Sequence, residues 1–161
     1  MVELDFNIEN PVDLTFFHKL NLDVPLRNIT MAIQNDVKRN LRQSRTVKGA
    51  YMKRLTDKTM KDKRREGVAT PTKPLLRFRN MFKNIRIRKV AHNFWQVDFA
   101  TNESNDKAYY HNVSGASKLR IMRPFFGISK KRELWAINYF QSWLANKLRA
   151  GRGRQYGTVL K

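Results

Sequence analysis

Residues 129–149 read SKKRELWAINYFQSWLANKLR, and this segment decides the fold. Apolar side chains recur in it at spacings of three and four, which is the pattern of an amphipathic helix. Ser129 precedes the pattern and is a suitable N-cap residue. The sequence therefore predicts a long C-terminal helix with two neighbouring apolar stripes. The first stripe contains Leu134, Ile137, Phe140, Leu144 and Leu148, and the second contains Trp135, Tyr139 and Trp143.

The two stripes together are wider than one packing partner can cover. At about 100° per residue they occupy well over half of the helix circumference. A contiguous exposed aromatic surface of this kind marks an interaction site. We therefore expect a second copy of the chain to cover the remainder. The predicted subunit contact is centred on Trp135, Tyr139, Phe140 and Trp143. The alternative is a core deep enough to enclose both stripes, which is harder to build in so small a domain.

Other local patterns predict the remaining elements. Residues 25–43 carry a single apolar stripe, and the opposite face of this predicted helix carries Arg27, Lys38, Arg39 and Arg42. Residues 85–100 alternate around a turn at 91–93, which is typical of a β-hairpin. Residues 2–8 also alternate and predict a strand, while residues 75–84 predict a short helix and residues 102–106 a polar turn.

Composition limits the function classes. The 161-residue chain has a formal charge of +20, from 33 Lys and Arg against 13 Asp and Glu. Such a charge repels itself, and a polyanion or an acidic protein would relieve the repulsion. With no cysteine the chain contains no disulfide and no thiolate metal site. No apolar run approaches the ~18 residues of a membrane span, and the N-terminus is acidic rather than signal-like, so we expect a soluble protein made in a cytoplasm.

The charges are grouped in blocks, which suggests separate surfaces for separate partners. Residues 1–23 hold five acids and one base, whereas residues 38–90 hold 19 bases and three acids. We expect one domain over residues 1–150, with a basic arm or long loop at 44–74, and a flexible basic tail at 151–161. A solvated segment without a partner is the alternative for the arm.

Cationic side chains are the predicted contacts for DNA or for an acidic partner, because Lys and Arg neutralise phosphates. Three of them stand at the positive end of the predicted C-terminal helix, where an anion would compensate them. The predicted contacts are Lys53, Arg54, Lys58, Lys61, Lys63, Arg64, Arg65, Lys130, Lys131, Arg132, Arg152 and Arg154.

Catalytic patterns are missing from the sequence. The three histidines, His18, His92 and His111, lack the i, i+4 spacing of a helical metal pair. No paired carboxylates, glycine-rich phosphate loop or nucleophile elbow can be assembled. We therefore expect no enzymatic activity, no cofactor and no metal. A nuclease would require a carboxylate or histidine cluster that the sequence does not offer.

Three segments share a family pattern. Residues 51–63 contain Leu55 and Thr59 at the family's spacing, and residues 76–82 match its next motif loosely. The third segment is the most specific, with His111, Gly115 and the run Arg123, Pro124, Phe125, Phe126 and Gly127 feeding the helix. In these segments the chain resembles the phage virion morphogenesis (tail-completion) family, which includes the G protein of phage Mu.

The resemblance implies an α+β domain, a small antiparallel sheet flanked by helices, that forms a ring between the portal complex and the tail. It implies no catalysis, and it gives the third segment an architectural role. The implied partners are further copies of the chain, other neck and tail proteins, and genomic DNA passing through the lumen. The implied location is the virion neck or the head-proximal tail end, after assembly in the host cytoplasm. The alternative function is a non-sequence-specific nucleic-acid-binding protein of ribosomal type, which would have no use for the second apolar stripe.

Overall fold

The computed structural model describes residues 20–75, 80–115 and 121–156. The fold is α+β, as expected, with a two-stranded antiparallel sheet packed against the first of two long helices. The predicted strand at 2–8 lies outside the described residues. In chain order the elements are α1 (Asp23–Gln43), α2 (Asp57–Arg65), α3 (Asn80–Lys83), β1 (Ile85–Ala91), β2 (Phe94–Phe99), α4 (Asn102–Tyr109), a π-helical turn (Tyr110–Ser114) and α5 (Lys130–Tyr156).

The core forms where α1 crosses the hairpin. Val37 and Leu41, one helical turn apart, are fully buried. They join a cluster that includes the cross-strand pair of Ile85 and Phe99 and the fully buried Phe125. The predicted helix and the predicted hairpin are both confirmed, because each depends on a periodicity that repeats along its own element.

Residues 102–109 form helix α4, so the predicted polar turn at 102–106 is wrong. Thr101 caps the helix by accepting a hydrogen bond from the Ser104 amide at 3.3 Å. The side chains that α4 buries are Ser104 and Ala108. The Asn84 side-chain amide donates to the Ser104 hydroxyl at 2.9 Å, so the buried hydroxyl has a hydrogen-bond partner. A helix whose inward face is small and partly polar shows no apolar stripe in the sequence.

The basic segment at 44–74 is a loop that contains helix α2. The loop is hydrogen-bonded to the end of α1. Thr56 caps α2, and Met60 and Val68 are buried. The Lys63 ammonium donates to the Lys73 carbonyl at 2.7 Å, and the Lys73 ammonium donates to the last turn of α1. These hydrogen bonds hold much of the segment against α1.

The segment at 121–127 connects two distant parts of the chain. The Arg123 amide donates to the His111 carbonyl at 2.7 Å, and its guanidinium donates to the Lys53 carbonyl at 3.2 Å. The Val47 amide donates to the Pro124 carbonyl at 2.8 Å. This segment therefore fixes the basic loop on one side and the π-helical turn on the other.

Helix α5 is longer than predicted. Ser129 caps it as expected, accepting a hydrogen bond from the Arg132 amide at 3.2 Å. The helix passes through Gly151 and Gly153 and ends at Tyr156. Glycine lowers helix propensity by about 1 kcal/mol per residue but keeps its backbone donor and acceptor, so the helix continues. The predicted flexible tail therefore begins as helix, and residues 157–161 lie outside the described part.

Asn112 supports the buried Phe125. Its side-chain oxygen accepts hydrogen bonds from the amides of Phe125 and Phe126 at 2.9 and 3.0 Å. We predict that Asn112→Ala lowers the free energy of unfolding by about 1–3 kcal/mol, because two amides lose their acceptor. Asn105→Ala, at an exposed position of α4, is the matched control and should change it by less than about 0.5 kcal/mol. Urea denaturation measures both, and equal losses would contradict the role of Asn112.

His111 predicts a pH dependence of stability. Burial and the neighbouring Arg123 lower the pKa of His111 from 6.5 to about 4. Between these values the unfolded chain binds a proton that the folded chain does not, so stability falls as the pH falls. We expect a loss of about 1–2 kcal/mol between pH 7 and 4, allowing for partial exposure. His111→Gln should remove this slope and the exposed His92→Gln should keep it; identical slopes would refute the assignment.

Candidate functional site

Helix α5 is attached to α1 by one ion pair and one neutral hydrogen bond. The Arg132 guanidinium donates to both carboxylate oxygens of Asp36, at 2.7 and 3.0 Å. Seven residues further on, the Tyr139 hydroxyl accepts a hydrogen bond from Asn28 at 2.8 Å. The two helices therefore run antiparallel. The hydrogen bond to Asp36 raises the pKa of Arg132, so the guanidinium keeps its charge at every physiological pH.

The segment 134–146 of α5 contains thirteen residues and no charged side chain, although 29% of the whole chain is charged. We call the apolar side of this segment the uncharged face. Leu134, Trp135 and Ile137 are 51%, 38% and 47% exposed. In the described part of the chain no residue from 130 to 150 is fully buried. The second stripe is therefore not enclosed by the part of the subunit that the structure describes.

The aromatic rings of the uncharged face stack on one another along the helix. Trp135 stacks on Tyr139 with ring centroids 5.3 Å apart, and Phe140 stacks on Trp143 at 6.0 Å. The Arg132 guanidinium lies 4.5 Å from the Trp135 ring on its other side. Stacked rings lose little side-chain freedom on binding, which makes them suitable anchors for a partner.

Helix α5 extends beyond α1. Tyr139 lies opposite Asn28, five residues after the start of α1, whereas α5 continues to Tyr156. At about 1.5 Å per residue, the last turns of α5 reach roughly 18 Å past the start of α1 at Asp23. Helix α1 therefore supports only the first half of α5.

Of the four predicted interface residues, Trp135 is the most exposed, while Tyr139, Phe140 and Trp143 are half-buried. Tyr139 uses its hydroxyl within the subunit. Sequence reasoning did not identify Leu134 and Ile137 as contacts, although both belong to the first stripe. Because that stripe was assigned to the core, their exposure was missed.

The structure separates the predicted cationic contacts into two groups. Lys63 is only 5% exposed and donates to a backbone carbonyl, so it cannot reach a polyanion. Arg132 already binds Asp36, and Lys130 pairs with Glu133 at 3.3 Å. The anion expected at the start of α5 is therefore supplied within the chain. The exposed members in the loop and at the start of α5 are Lys53, Arg54, Lys58, Lys61, Arg64, Arg65 and Lys131. Arg152 and Arg154 lie on the last turns of α5.

The residues of the family pattern are distributed between the core and the surface. Phe125 is fully buried and Arg123 is 7% exposed, while His111 and Pro124 are half-buried. Gly115 and Gly127 have φ of 76° and 151°, values that favour glycine. Leu55 is half-buried and Thr59 is exposed beside the Thr56 cap. The Arg-Pro-Phe-Phe-Gly run thus builds the fold and leads into α5.

Sequence reasoning missed a second cationic region at the end of α1. Lys38, Arg39 and Arg42 lie on its last two turns, and the loop residues Arg45 and Lys73 contact the same region. Their spacing along α1 is visible in the sequence, where it places them on the face opposite the apolar stripe. Lys73 could not be placed there without the fold.

Residues 20–75, 80–115 and 121–156 contain no group of three or more His, Cys, Asp or Glu side chains that could hold a metal ion. None of the helices in them is both long and apolar enough to cross a membrane. The absence of enzymatic activity stays a prediction.

Comparison of the chain with protein-family models, with curated proteins and with solved structures found no match. The family resemblance rests on the residues quoted above and stays a prediction.

The ion pair between Asp36 and Arg132 should be strong for a pair near the surface, because it is bidentate and its side chains are only 15% and 22% exposed. In a double-mutant cycle with Asp36→Asn and Arg132→Gln, we expect a coupling of about 1–3 kcal/mol in unfolding free energy. The exposed pair of Glu103 and Lys107 is the control cycle and should give less than about 0.5 kcal/mol. Equal couplings would show that the pair does not hold α5 on α1.

Proposed function

We propose that this chain is a structural subunit of a tailed-phage virion, which assembles into a ring at the neck or the head-proximal tail end and joins or seals head and tail. The observation that carries the proposal is the uncharged face of α5. It exposes Leu134, Trp135 and Ile137 on a helix that α1 supports along only half of its length.

A second copy of the chain is the partner that best fits this face. Two molecules of formal charge +20 repel each other over most of their surfaces. They can approach closely only where neither brings a cation, and residues 134–146 form the long uncharged segment of α5. Duplex DNA, in contrast, would gain nothing from a surface without cations. The stacked pair of Trp135 and Tyr139 supplies the aromatic anchors that dominate protein interfaces.

A ring also needs a contact between two different surfaces, because identical faces meeting each other close a dimer. The charge blocks supply a candidate for that contact. Residues 1–23 carry five acids and one base, opposite in sign to the rest of the chain. An acidic segment of one subunit meeting a basic surface of the next would relieve the repulsion within the assembly.

The phage assignment is supported by the same part of the chain. The run Arg123 to Gly127, which carries the resemblance to the tail-completion family, leads directly into α5. The segment that suggests the family thus positions the helix that suggests self-assembly. Genes for capsid, portal and tail proteins beside the gene for this chain would support the assignment, and their absence from its genomic neighbourhood would count against it.

The alternative, a non-sequence-specific nucleic-acid-binding protein of ribosomal type, is favoured by the net charge and by the cationic region at the end of α1. This alternative function does not explain why α5 exposes an uncharged aromatic face. A monomer that binds RNA would favour the alternative, whereas a ring would favour the first proposal.

Introducing positive charge into the uncharged face should prevent assembly. We predict that Leu134→Lys combined with Ile137→Lys keeps the protein monomeric at concentrations where the unaltered chain associates, because each contact would then bury unpaired like charges. Val113→Lys combined with Met122→Lys, at positions 57% and 53% exposed outside α5, adds the same charge and should associate normally. Sedimentation velocity measures association, and circular dichroism checks that all variants fold alike.

Electron microscopy of the associated fraction tests the ring itself. Closed rings with a central opening are expected. A monomeric unaltered chain, or open fibres, would contradict the proposal. Association that survives the double substitution unchanged would show that the uncharged face is not needed for assembly.

A further inference from the structure

We propose a second binding site, for the phosphodiester backbone of nucleic acid, in two adjoining clefts at the C-terminal end of α1. The site does not depend on ring assembly. It differs from the loop cations that the sequence suggested, because it is built by tertiary contacts around the end of one helix. The cationic side chains that define these basic clefts are Lys38, Arg39, Arg42, Arg45, Lys48, Lys73 and Lys131.

The two clefts form one surface. The first has a volume of about 510 Å³ and is lined by Asn35, Lys38, Arg39, Arg42, Gln43 and Lys73. The second has a volume of about 290 Å³ and lies beside the turn at 45–49 and the start of α5. Arg39 and Gln43 line both, so the clefts meet at the last two turns of α1.

Carboxylates are scarce in this region. Asp36 lines the second cleft, and it is already shared between Arg39 at 2.7 Å and Arg132. Several cations elsewhere in the described residues do have acidic neighbours; Arg86 and Arg88, for example, both pair with Asp98. Within the described ranges no carboxylate lies within salt-bridge distance of the remaining cleft cations, which are Lys38, Arg42, Arg45, Lys48, Lys73 and Lys131.

Neutral groups hold several of these cations in place. The Arg42 guanidinium lies 4.9 Å from the Phe82 ring, and the Lys38 ammonium lies 5.9 Å from the same ring. The Lys73 ammonium donates to the Arg42 carbonyl at 2.9 Å. Aromatic faces and carbonyls position a cation without neutralising its charge, so the charge remains available to an anion.

The Arg45 side chain, which lines the second cleft, is fixed in the same manner. Its guanidinium lies 4.6 Å from the Tyr51 ring and donates to the Gly49 carbonyl and the Tyr51 hydroxyl, both at 3.2 Å. Preorganised guanidinium groups lose less freedom when they bind an oxyanion. Helix α1 ends here with a partial negative charge, but that dipole acts only within its last turn and cannot offset so many cations.

Nucleic acid fits this surface better than an acidic protein does. The clefts are open and are lined chiefly by Lys, Arg, Asn and Gln, the side chains that contact phosphate oxygens. They offer no buried apolar pocket for an anchoring side chain of a protein partner. The cations are spread around the helix end, which suits a ligand with regularly repeated charges.

The test measures binding of a fluorescent 20-base-pair duplex by anisotropy at 50 to 200 mM salt. The variant Lys38→Gln, Arg42→Gln, Lys48→Gln removes three cleft cations. The matched control Lys58→Gln, Lys61→Gln, Arg64→Gln removes three exposed cations of α2, so both lose the same net charge. Each phosphate contact contributes about 0.9 to the slope of log affinity against log salt, so the cleft variant should lower the slope by two to three.

We expect the cleft variant to lose at least tenfold in affinity at 100 mM salt, and the control to stay within about threefold. Two unrelated duplex sequences should bind alike. If the cleft variant unfolds, a double variant serves instead. Lys48→Gln with Lys131→Gln then removes two cleft cations, and Lys58→Gln with Lys61→Gln is its control with the same loss of charge.

The inference is overturned if the unaltered chain binds no duplex at 50 mM salt, or if both variants lose affinity equally. It is also overturned if poly-glutamate binds more tightly than the duplex, since the clefts would then suit an acidic protein. Sedimentation velocity of the cleft variant should match that of the unaltered chain. A failure here therefore leaves the proposed ring unaffected.

Discussion

The hydrogen bonds from Arg132 to Asp36 determine where the C-terminal helix lies, and both surfaces described above depend on them. They attach the start of α5 to the middle of α1 at 2.7 and 3.0 Å. The orientation that results leaves Leu134, Trp135 and Ile137 facing outward. The same contact engages Asp36, the carboxylate that lines the basic clefts. The ion pair between Asp36 and Arg132 thus holds α5 in place, and it also engages the carboxylate that lines the clefts.

These two surfaces solve different problems for a chain of formal charge +20. A cationic surface attracts polyanions but repels further copies of the chain. An uncharged aromatic face has little affinity for phosphate but lets copies meet without bringing like charges together. A protein that lines a passage for DNA and also assembles with itself needs both, placed apart. In this structure the clefts lie at the C-terminal end of α1 and the start of α5, whereas the exposed side chains of the uncharged face begin at Leu134.

The fold could be predicted from the sequence wherever the signal is local. The stripe from Leu26 to Leu41 and the alternation at 85–100 each repeat within one element, so α1 and the hairpin were predicted correctly. Helix α4 was missed because the position it buries beside Ala108 is Ser104, whose polarity is satisfied by Asn84 from another element. The continuation of α5 through Gly151 was missed because glycine weakens a helix without ending it.

The candidate sites could also be predicted only where their residues lie within one element of secondary structure. The uncharged face lies on a single helix, so Trp135 and Trp143 could be named from periodicity alone. The basic clefts combine Arg42 with Lys73, 31 residues later, and Asp36 with Arg132, 96 residues later. Such pairings follow from the packing of α1 against the loop and against α5, and no spacing in the sequence records them.

Hydroxyl-radical footprinting tests the central claim most directly, because it reads the solvent exposure of individual side chains in the unaltered protein. The oxidation rates of Leu134, Trp135 and Ile137 would be compared between the diluted monomer and the assembled fraction, with Tyr51, 74% exposed in the loop, as the internal reference. Assembly through the uncharged face should protect the three α5 residues several-fold and leave the rate at Tyr51 unchanged. Equal oxidation of α5 in both fractions would contradict it.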